Sequence, residues 1–161
     1  DWYDRTVLKY LLYEYEEDLA GGKDLGLTWD AVEKRGQKSI EHILPQTPDD
    51  PYWLGRFSPE QRALYTHDLG NLCLSYLPDN SAYRRKPFPE KVGCPGSAGP
   101  CYLKSTLIQE RNLAASPDWT VEEILKRRAK IAAWAIRRWL VDPPVVPAAP
   151  SPDEADDEEA V

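Results

Sequence analysis

The sequence predicts an α+β fold that is mostly helical, with one small two-stranded ribbon followed by a helix. Three observations predict this class: apolar residues recur at helical spacing near both ends of the 161-residue chain, two short apolar runs lie in the middle, and proline and glycine separate these segments. The length suits one hydrophobic core and is too short for two ordinary domains. We therefore expect a single domain.

The first element is an amphipathic helix, expected over residues 2–19. Its apolar side is formed by residues at helical spacing, namely Tyr3, Val7, Tyr10, Leu11 and Tyr15. Gly21 and Gly22 end this helix, since glycine favours the conformation that terminates helices. Residues 25–36 show little periodicity, and we expect them to form a connecting segment.

Two strands are expected in the middle of the chain. The first is the short apolar run Ser39–Leu44, which Pro45 stops. Residues 47–62 are rich in proline and aspartate and form a long loop, which ends in a short helix over Pro59–Tyr65. The second strand is Leu69–Tyr76. The two strands are therefore joined by a loop rather than by a tight turn.

A short helix is expected directly after the second strand. Asp79 or Asn80 can cap it, and the helix runs through residues 81–86 until Pro87 limits it. The order strand, loop, strand, helix is the organising feature of the middle of the chain.

Two more helices are expected in the C-terminal part. A Gly/Pro-rich loop over residues 93–101 precedes a helical pattern at 102–115. Thr120 and Glu123 match a capping box, which predicts a helix over residues 120–140. This last helix is rich in Lys and Arg, and its basic surface suits solvent, a protein partner or DNA equally.

The charge is unevenly distributed along the chain. The net charge is -7, but residues 142–161 contain seven acidic residues and no Lys or Arg, so the remaining 20 acidic residues balance 20 basic ones. The acidic Pro/Ala-rich tail at 142–161 has too little apolar area to fold, and we expect it to be disordered. The acidic pI therefore does not argue against binding to nucleic acid.

Cysteine usage and the chain termini restrict the cellular setting. Cys73 lies in an apolar run and is expected in the core, while Cys94 and Cys101 flank a loop and could form a disulfide, although a reduced pair is expected. No apolar run approaches a membrane span, and the first residues lack a secretory signal, so we expect a cytoplasmic protein. The missing initial Met suggests a fragment of a longer chain.

The pair Glu41 and His42 carries the strongest chemical signal. Hydrolysis of a phosphodiester needs a base that activates water and a cation that stabilises negative charge. A neutral imidazole suits the first task near pH 7, and an oxygen-ligated divalent cation suits the second. Because Pro45 follows closely, the strand can leave the sheet where this pair lies, and both side chains can then serve one site.

Three segments together resemble a known family: EHILPQ, LGNLCL and DNSAYRRKPF are similar to the His-Me finger nucleases of the HNH type. The similarity is greatest to the nuclease domain near the C-terminal end of GmrSD-like modification-dependent restriction enzymes. The resemblance covers about residues 1–140. It implies a nuclease domain over residues 1–141, with a ββα-metal core at about 38–92.

The resemblance also implies a role for each matching residue. Glu41 becomes a metal ligand, His42 the general base, Asn71 a residue that braces the loop of the catalytic centre, and Asn80 a second metal ligand. The nine-residue interval from Asn71 to Asn80 matches the strand-to-helix interval of such nucleases. Plainer interpretations are a surface ion pair for Glu41, a core histidine for His42, a turn residue for Asn71 and a helix cap for Asn80.

Basic residues near these motifs are candidates for contact with the nucleic-acid backbone, although a solvated face is the alternative. They are Arg84, Arg85, Lys86, Lys91 and Lys104. His67 is a possible auxiliary residue, which either packs at the entrance of the second strand or takes part in leaving-group protonation or phosphate contact.

The function implied by the resemblance is that of a DNA endonuclease that nicks one strand with one Mg²⁺ or Mn²⁺ ion per site. Its setting would be bacterial defence against foreign or modified DNA, with a nucleotide-hydrolysing, modification-sensing domain upstream in the same protein. An oligomer is compatible with this interpretation, and a membrane association is not expected. The alternatives are a nucleic-acid-binding or docking module that does not cut, and an RNA-directed nuclease or toxin.

Overall fold

The computed structural model describes residues 1–3, 7–34, 38–96 and 98–139. Within these ranges the protein is mostly helical with one two-stranded sheet, which confirms the expected α+β class. In chain order the elements are α1 (Leu8–Ala20), α2 (Trp29–Glu33), β1 (Lys38–His42), α3 (Pro51–Arg56), α4 (Pro59–Tyr65), β2 (Leu72–Tyr76), α5 (Leu77–Tyr83), α6 (Phe88–Val92), α7 (Ile108–Leu113) and α8 (Val121–Trp139).

The N-terminal helix is shorter than expected, because α1 begins at Leu8 and not near residue 2. Residues 4–6 lie outside the described residues. Gly21 ends α1 in a left-handed conformation with φ 59°, as its position predicted. Helix α2 occupies part of the segment expected to be irregular, where the Thr28 side chain caps it by accepting a hydrogen bond from the Ala31 amide.

The loop between the strands contains two helices instead of one. The prediction for α4 at Pro59–Tyr65 is confirmed, and Ser58 and Gln61 form a capping box at its start. Helix α3 was not expected, although Asp50 caps it by accepting a hydrogen bond from the Tyr52 amide. The proline in its first turn is compatible with a helix start, because that position needs no amide donor.

Strands β1 and β2 are antiparallel, with Glu41 opposite Cys73 and His42 opposite Leu72. Both strands are shorter than expected. β1 ends at His42, so the chain leaves the sheet directly after the imidazole. Before β2, residues Leu69–Asn71 form a 3₁₀ turn instead of strand.

The helix after β2 begins earlier than predicted. α5 starts at Leu77, with a proline in its first turn, so Asn80 lies inside the helix and does not cap it. The helix ends before Arg84, whose φ is 44°. The following helix α6 was not expected, because its five residues are too few to show a periodic pattern.

The predicted helix at 102–115 is wrong in its extent. The structure has a 3₁₀ turn at Tyr102–Lys104 and the short helix α7 over Ile108–Leu113. Glu16 of α1 caps α7, since its carboxylate accepts hydrogen bonds from the amides of Ile108 and Gln109. A cap from a distant helix leaves no local sequence signal.

The prediction of the last helix is confirmed over the described residues, because α8 spans Val121–Trp139 and the Thr120 side chain accepts a hydrogen bond from the Glu123 amide. Residue 140 and the tail expected to be disordered, 142–161, lie outside the described residues. No helix in the described ranges combines the length and the hydrophobicity needed to cross a bilayer.

Helix α8 packs closely against the turn before β2. A Cβ atom added at Gly70 would lie 2.0 Å from the carbonyl oxygen of Ile124, so only glycine fits there. The Arg127 Nη1 atom donates to the carbonyl oxygens of Leu69, Gly70 and Leu72. The long C-terminal helix therefore holds the entrance of β2.

Two hydrophobic clusters form the core. The first joins α1, β2 and α8 through residues such as Leu12, Leu74 and Ile131. The second surrounds the segment after β1 and is rich in aromatic side chains: Trp53, Phe57, Tyr83, Phe88, Tyr102 and Trp119. Cys73 is buried in the second cluster, as expected, and none of the three cysteines, which all lie in the described ranges, forms a disulfide.

Candidate active site

His42 lies at the end of β1 and contacts the second histidine of the chain. Its side chain is largely buried, at 7% relative exposure, and its Nε2 atom lies 3.1 Å from Nδ1 of His67. The two rings are nearly perpendicular, at 85°, with centroids 5.1 Å apart. His67 is placed there by the turn that follows α4, and it is only partly buried.

The surroundings of His42 keep its imidazole neutral. Burial, the neighbouring His67 and the ammonium group of Lys91 together lower the pKa of His42 to about 3. At neutral pH the ring is therefore uncharged and has a lone pair that can accept a proton.

Two further side chains contact the His42 ring. Gln46 is exposed, and its Nε2 atom lies 3.2 Å from Nδ1 and 3.4 Å from Nε2 of His42. Tyr3 packs edge-on against His42, with centroids 4.6 Å apart, and stacks on His67 at 5.4 Å. The Trp2 amide donates to the carbonyl oxygen of His67, so the first residues of the chain lie against the histidine pair. Sequence reasoning placed Tyr3 in a helix and missed this position.

Asn71 fastens the segment that follows His42. It is fully buried, and its Oδ1 atom accepts hydrogen bonds from the Leu44 amide at 2.7 Å and from Trp119 Nε1 at 3.1 Å. Its Nδ2 atom donates to the carbonyl oxygens of Leu44 and Thr66 at 2.9 and 2.8 Å. The Asn71 side-chain amide therefore joins the chain after β1, the end of α4 and the segment before α8, which is a bracing arrangement.

Glu41 points into the protein and forms a buried ion pair. Its Oε1 atom lies 2.7 Å from Lys91 Nζ and accepts a hydrogen bond from the Tyr102 hydroxyl at 2.8 Å. The same ammonium group donates to the carbonyl oxygens of His42 and Ile43 at 2.9 and 3.0 Å. Burial raises the pKa of Glu41, while the positive charge of Lys91 opposes that shift.

This arrangement does not fit the cation site expected at Glu41 and Asn80. The Glu41 carboxylate is only 2% exposed and already neutralises Lys91, so a second cation beside it would be repelled by the ammonium group. Asn80 directs its Nδ2 atom to the carbonyl oxygen of Ile40, at 3.0 Å. Among the residues that the structure describes, no group of three or more His, Cys, Asp or Glu side chains is placed to hold a metal ion.

The basic residues expected to contact the nucleic-acid backbone divide into two groups. Lys91 forms the first group, because it is completely buried. Its ammonium group forms an ion pair with Glu41 and donates hydrogen bonds to the carbonyl groups at the end of β1. The side chains of Arg84, Arg85, Lys86 and Lys104 are exposed. Arg85 forms a surface ion pair with Asp49, at 2.5 Å.

Sequence reasoning missed the residues that act over long distances along the chain. The contact of His42 with His67 spans 25 residues, and the bond of Lys91 to Glu41 spans 50. Neither leaves a periodic signal. The one available signal for Lys91 was its place at the end of an FPEK segment that Pro87 precedes and Gly93 closely follows, which is compatible with a short buried helix.

Comparison with known proteins identifies the family. The family described as GmrSD restriction endonucleases, C-terminal domain, matches residues 1–134, a range that includes both histidines and Asn71. No curated protein and no solved structure matches the chain. Since the match covers most of the 161 residues, the chain belongs to the family of C-terminal domains of GmrSD restriction endonucleases.

Proposed function

We propose that this domain is an HNH-type DNA endonuclease in which His42 is the general base. The family makes it a domain of a multidomain restriction enzyme, and restriction endonucleases are hydrolases. The observation that carries the proposal is the position of His42: a neutral imidazole at the point where β1 leaves the sheet, with the next residues held by Asn71.

The arrangement of elements supports the assignment to the His-Me finger group. β1 and β2 are antiparallel, α5 follows β2 without a gap, and the Asn80 amide ties α5 to the backbone of β1. A strand pair followed by a helix is the order that the resemblance implies. His42 lies at the end of the first strand, where this group carries its base.

The chemistry proposed for His42 is the activation of water. As water attacks the phosphorus atom, one of its O–H bonds breaks and the proton moves to the neutral imidazole. A new P–O bond forms, and the bond to the leaving 3′-oxygen breaks. The imidazole then carries the proton until solvent or the leaving oxygen accepts it.

A divalent cation remains a prediction from the resemblance. Mg²⁺ or Mn²⁺ would stabilise the negative charge on the phosphoryl oxygens. Glu41 could serve such an ion only after it loses its ion pair with Lys91. Nicking is the expected product of one centre, since two centres are needed for a double-strand break.

The wider setting is proposed on the family alone. We expect the domain to act on foreign or modified DNA in bacterial defence, with an upstream nucleotide-hydrolysing domain that senses the modification. A cytoplasmic enzyme, alone or as an oligomer, is compatible with that role.

A plasmid-relaxation assay tests the proposal. Wild type, His42→Ala and Asn80→Ala are compared with Mg²⁺, with Mn²⁺ and with chelator. We expect His42→Ala to lose about 10²- to 10⁴-fold of the cleavage rate while binding to DNA is largely kept. Lys23→Gln, which removes an exposed charge in the turn after α1, is the matched control and should cut normally.

The outcomes separate the alternatives. Unchanged nicking by His42→Ala would show that His42 is not the general base. Binding without cleavage in every metal condition would favour a docking module. Parallel assays on duplex DNA, single-stranded DNA and RNA test the substrate, because cleavage of RNA alone would replace the DNA nuclease with an RNA-directed one.

A further inference from the structure

We propose that a groove beside His42 binds the backbone phosphate adjacent to the scissile one, with Arg62 as its cationic contact. This inference rests on the proposed nuclease function and extends it to substrate positioning. Arg62 was not among the residues that the sequence suggested for binding.

The groove has a volume of about 290 Å³. It is lined by Gln46, Pro48, Arg62, Ala63, Thr66 and His67. Two of these residues, Gln46 and His67, also contact the His42 ring, at 3.2 and 3.1 Å. A ligand in the groove therefore lies one side chain away from the imidazole.

Arg62 brings a positive charge to this groove and forms no salt bridge with a described carboxylate, while its charge contributes to the lowered pKa of the exposed Glu60 on the same helix. It lies on α4, is half-buried, and its Nη1 atom donates to the carbonyl oxygen of Phe57 at 2.6 Å. Within the described ranges no carboxylate lies within ion-pair distance of Arg62, in contrast to Arg56, which pairs with Asp118, and Arg128, which pairs with Asp68. The Nε and Nη2 atoms of Arg62 are not used in hydrogen bonds to the described residues.

The chemistry of the lining matches a phosphodiester. A guanidinium group presents planar N–H donors that suit phosphate oxygens, and a nearby amide and imidazole can add further hydrogen bonds. None of the six lining residues carries a negative charge that would repel the ligand. Half-burial of the Arg62 side chain strengthens its attraction, because the charge is less screened than on an open surface.

The position of the groove distinguishes a neighbouring phosphate from the scissile one. The scissile phosphorus must approach a water held by His42, but His42 does not line the groove. Gln46 and His67 line it and contact the His42 ring, so a phosphate in the groove is separated from the imidazole by these side chains. A phosphate bound in the groove therefore fixes the register of the strand. Arg62 is a positioning residue by this argument.

Equilibrium binding tests the proposal directly. Fluorescence anisotropy with a short DNA duplex, in chelator to prevent cleavage, compares wild type with Arg62→Gln. We expect about tenfold weaker binding for Arg62→Gln and a salt dependence smaller by about one phosphate contact. Lys23→Gln, the charge-matched control on an exposed turn, should bind like wild type. Arg62→Lys, which keeps the charge, should recover most of the affinity.

Cleavage kinetics add a second readout. Arg62→Gln should raise KM by about the same factor as Kd while kcat changes less than twofold. Equal affinity of Arg62→Gln and Lys23→Gln would overturn the proposal, and so would a loss in kcat at constant KM. If Arg62→Lys binds no better than Arg62→Gln, the effect is structural and the proposal fails.

The two proposals fail in different ways. If Arg62→Gln binds DNA normally and cleavage still requires His42, the proposed phosphate contact is refuted and the proposed nuclease function stands. If Arg62→Gln binds DNA more weakly but the protein never cuts, the contact between Arg62 and a phosphate is supported. The nuclease function is then refuted, and with it the assignment of that phosphate as the neighbour of a scissile one.

Discussion

The Nε2 atom of His42 and the Nδ1 atom of His67 lie 3.1 Å apart, so the only two histidines of the chain form one hydrogen-bonded pair. Positive charge on His67 disfavours a proton on His42 at this distance, because like charges repel. The state of His67 therefore affects the proton affinity of His42.

Replacing His67 should change the titration of His42. The positive charge that His67 can carry is one cause of the low pKa of His42, so His67→Gln should raise that pKa above its value of about 3. An NMR titration that follows the His42 ring protons measures the shift. An unchanged titration would show that burial and the charge of Lys91 set the pKa without His67. Lys23→Gln serves as control and should leave the His42 signal where it is in wild type.

Removing Lys91 should destabilise the protein strongly. Lys91→Met leaves the Glu41 carboxylate buried without its counter-ion, which costs about 3–5 kcal/mol in comparable cases. Urea unfolding measures the loss. The double variant Glu41→Gln with Lys91→Met should recover part of it, because no charge then remains in the site. A double variant as unstable as Lys91→Met alone would argue against this reason.

Asn71→Ala should weaken both stability and cleavage. It leaves the Leu44 amide and Trp119 Nε1 without their acceptor in a buried place, at a cost of about 1–3 kcal/mol for each unpaired group. The segment after His42 then loses its attachment, so the cleavage rate should fall as well. Asn112→Ala, on the exposed side of α7, is the control and should change the free energy of unfolding by less than about 0.5 kcal/mol.

Glu110 should make stability depend on pH. Burial, chiefly, raises the pKa of this carboxyl from 4.5 to about 7 in the folded protein. The folded state thus binds the proton more tightly than the unfolded state. The stabilising effect of the protonated group is complete below about pH 4.5 and is lost as the pH rises through about 7, with a span of about 3 kcal/mol.

Glu110→Gln isolates this effect. At pH 8 the variant should be more stable than wild type, and the difference should shrink as the pH falls towards 5, where the wild-type carboxyl is protonated. Urea unfolding at several pH values measures the difference between the two proteins. A constant difference across this range would show that Glu110 does not titrate near pH 7.

Gly70→Ala should disturb the contact between the turn before β2 and α8. The new Cβ atom would meet the backbone oxygen of Ile124 at 2.0 Å, and backbone cannot move aside as a flexible side chain can. We expect a loss of about 1–3 kcal/mol or more, measured by urea unfolding. Gly55→Ala is the matched control, because no atom lies within 4 Å of its added Cβ. Equal stability of the two variants would contradict the close packing.

The elements that the sequence predicted correctly carry their signals locally. The capping box of α4 and the glycine that ends α1 lie within a few residues of the structure they determine. The extent of α8 follows likewise from a capping residue and a long periodic pattern. Each of these features can therefore be derived from a short window.

The errors have physical causes that a short window does not contain. Asn80 looked like a helix cap, but the proline in the first turn of α5 moves the start of the helix upstream. Lys91 was expected to be a surface cation, but the Glu41 carboxylate, which neutralises its charge in the interior, lies 50 residues earlier in the chain. The motif EHILPQ located His42, while its partner His67 could be identified only after the fold brought them together.

The attachment of α8 to the strand entrance also bears on the order in which the protein is made. Arg127 supplies three bonds to the backbone around Asn71, and Trp119 supplies one to its side chain. Both residues leave a ribosome well after His42 and Asn71. The turn that holds the segment after His42 therefore acquires these bonds only when the chain up to α8 has been synthesised.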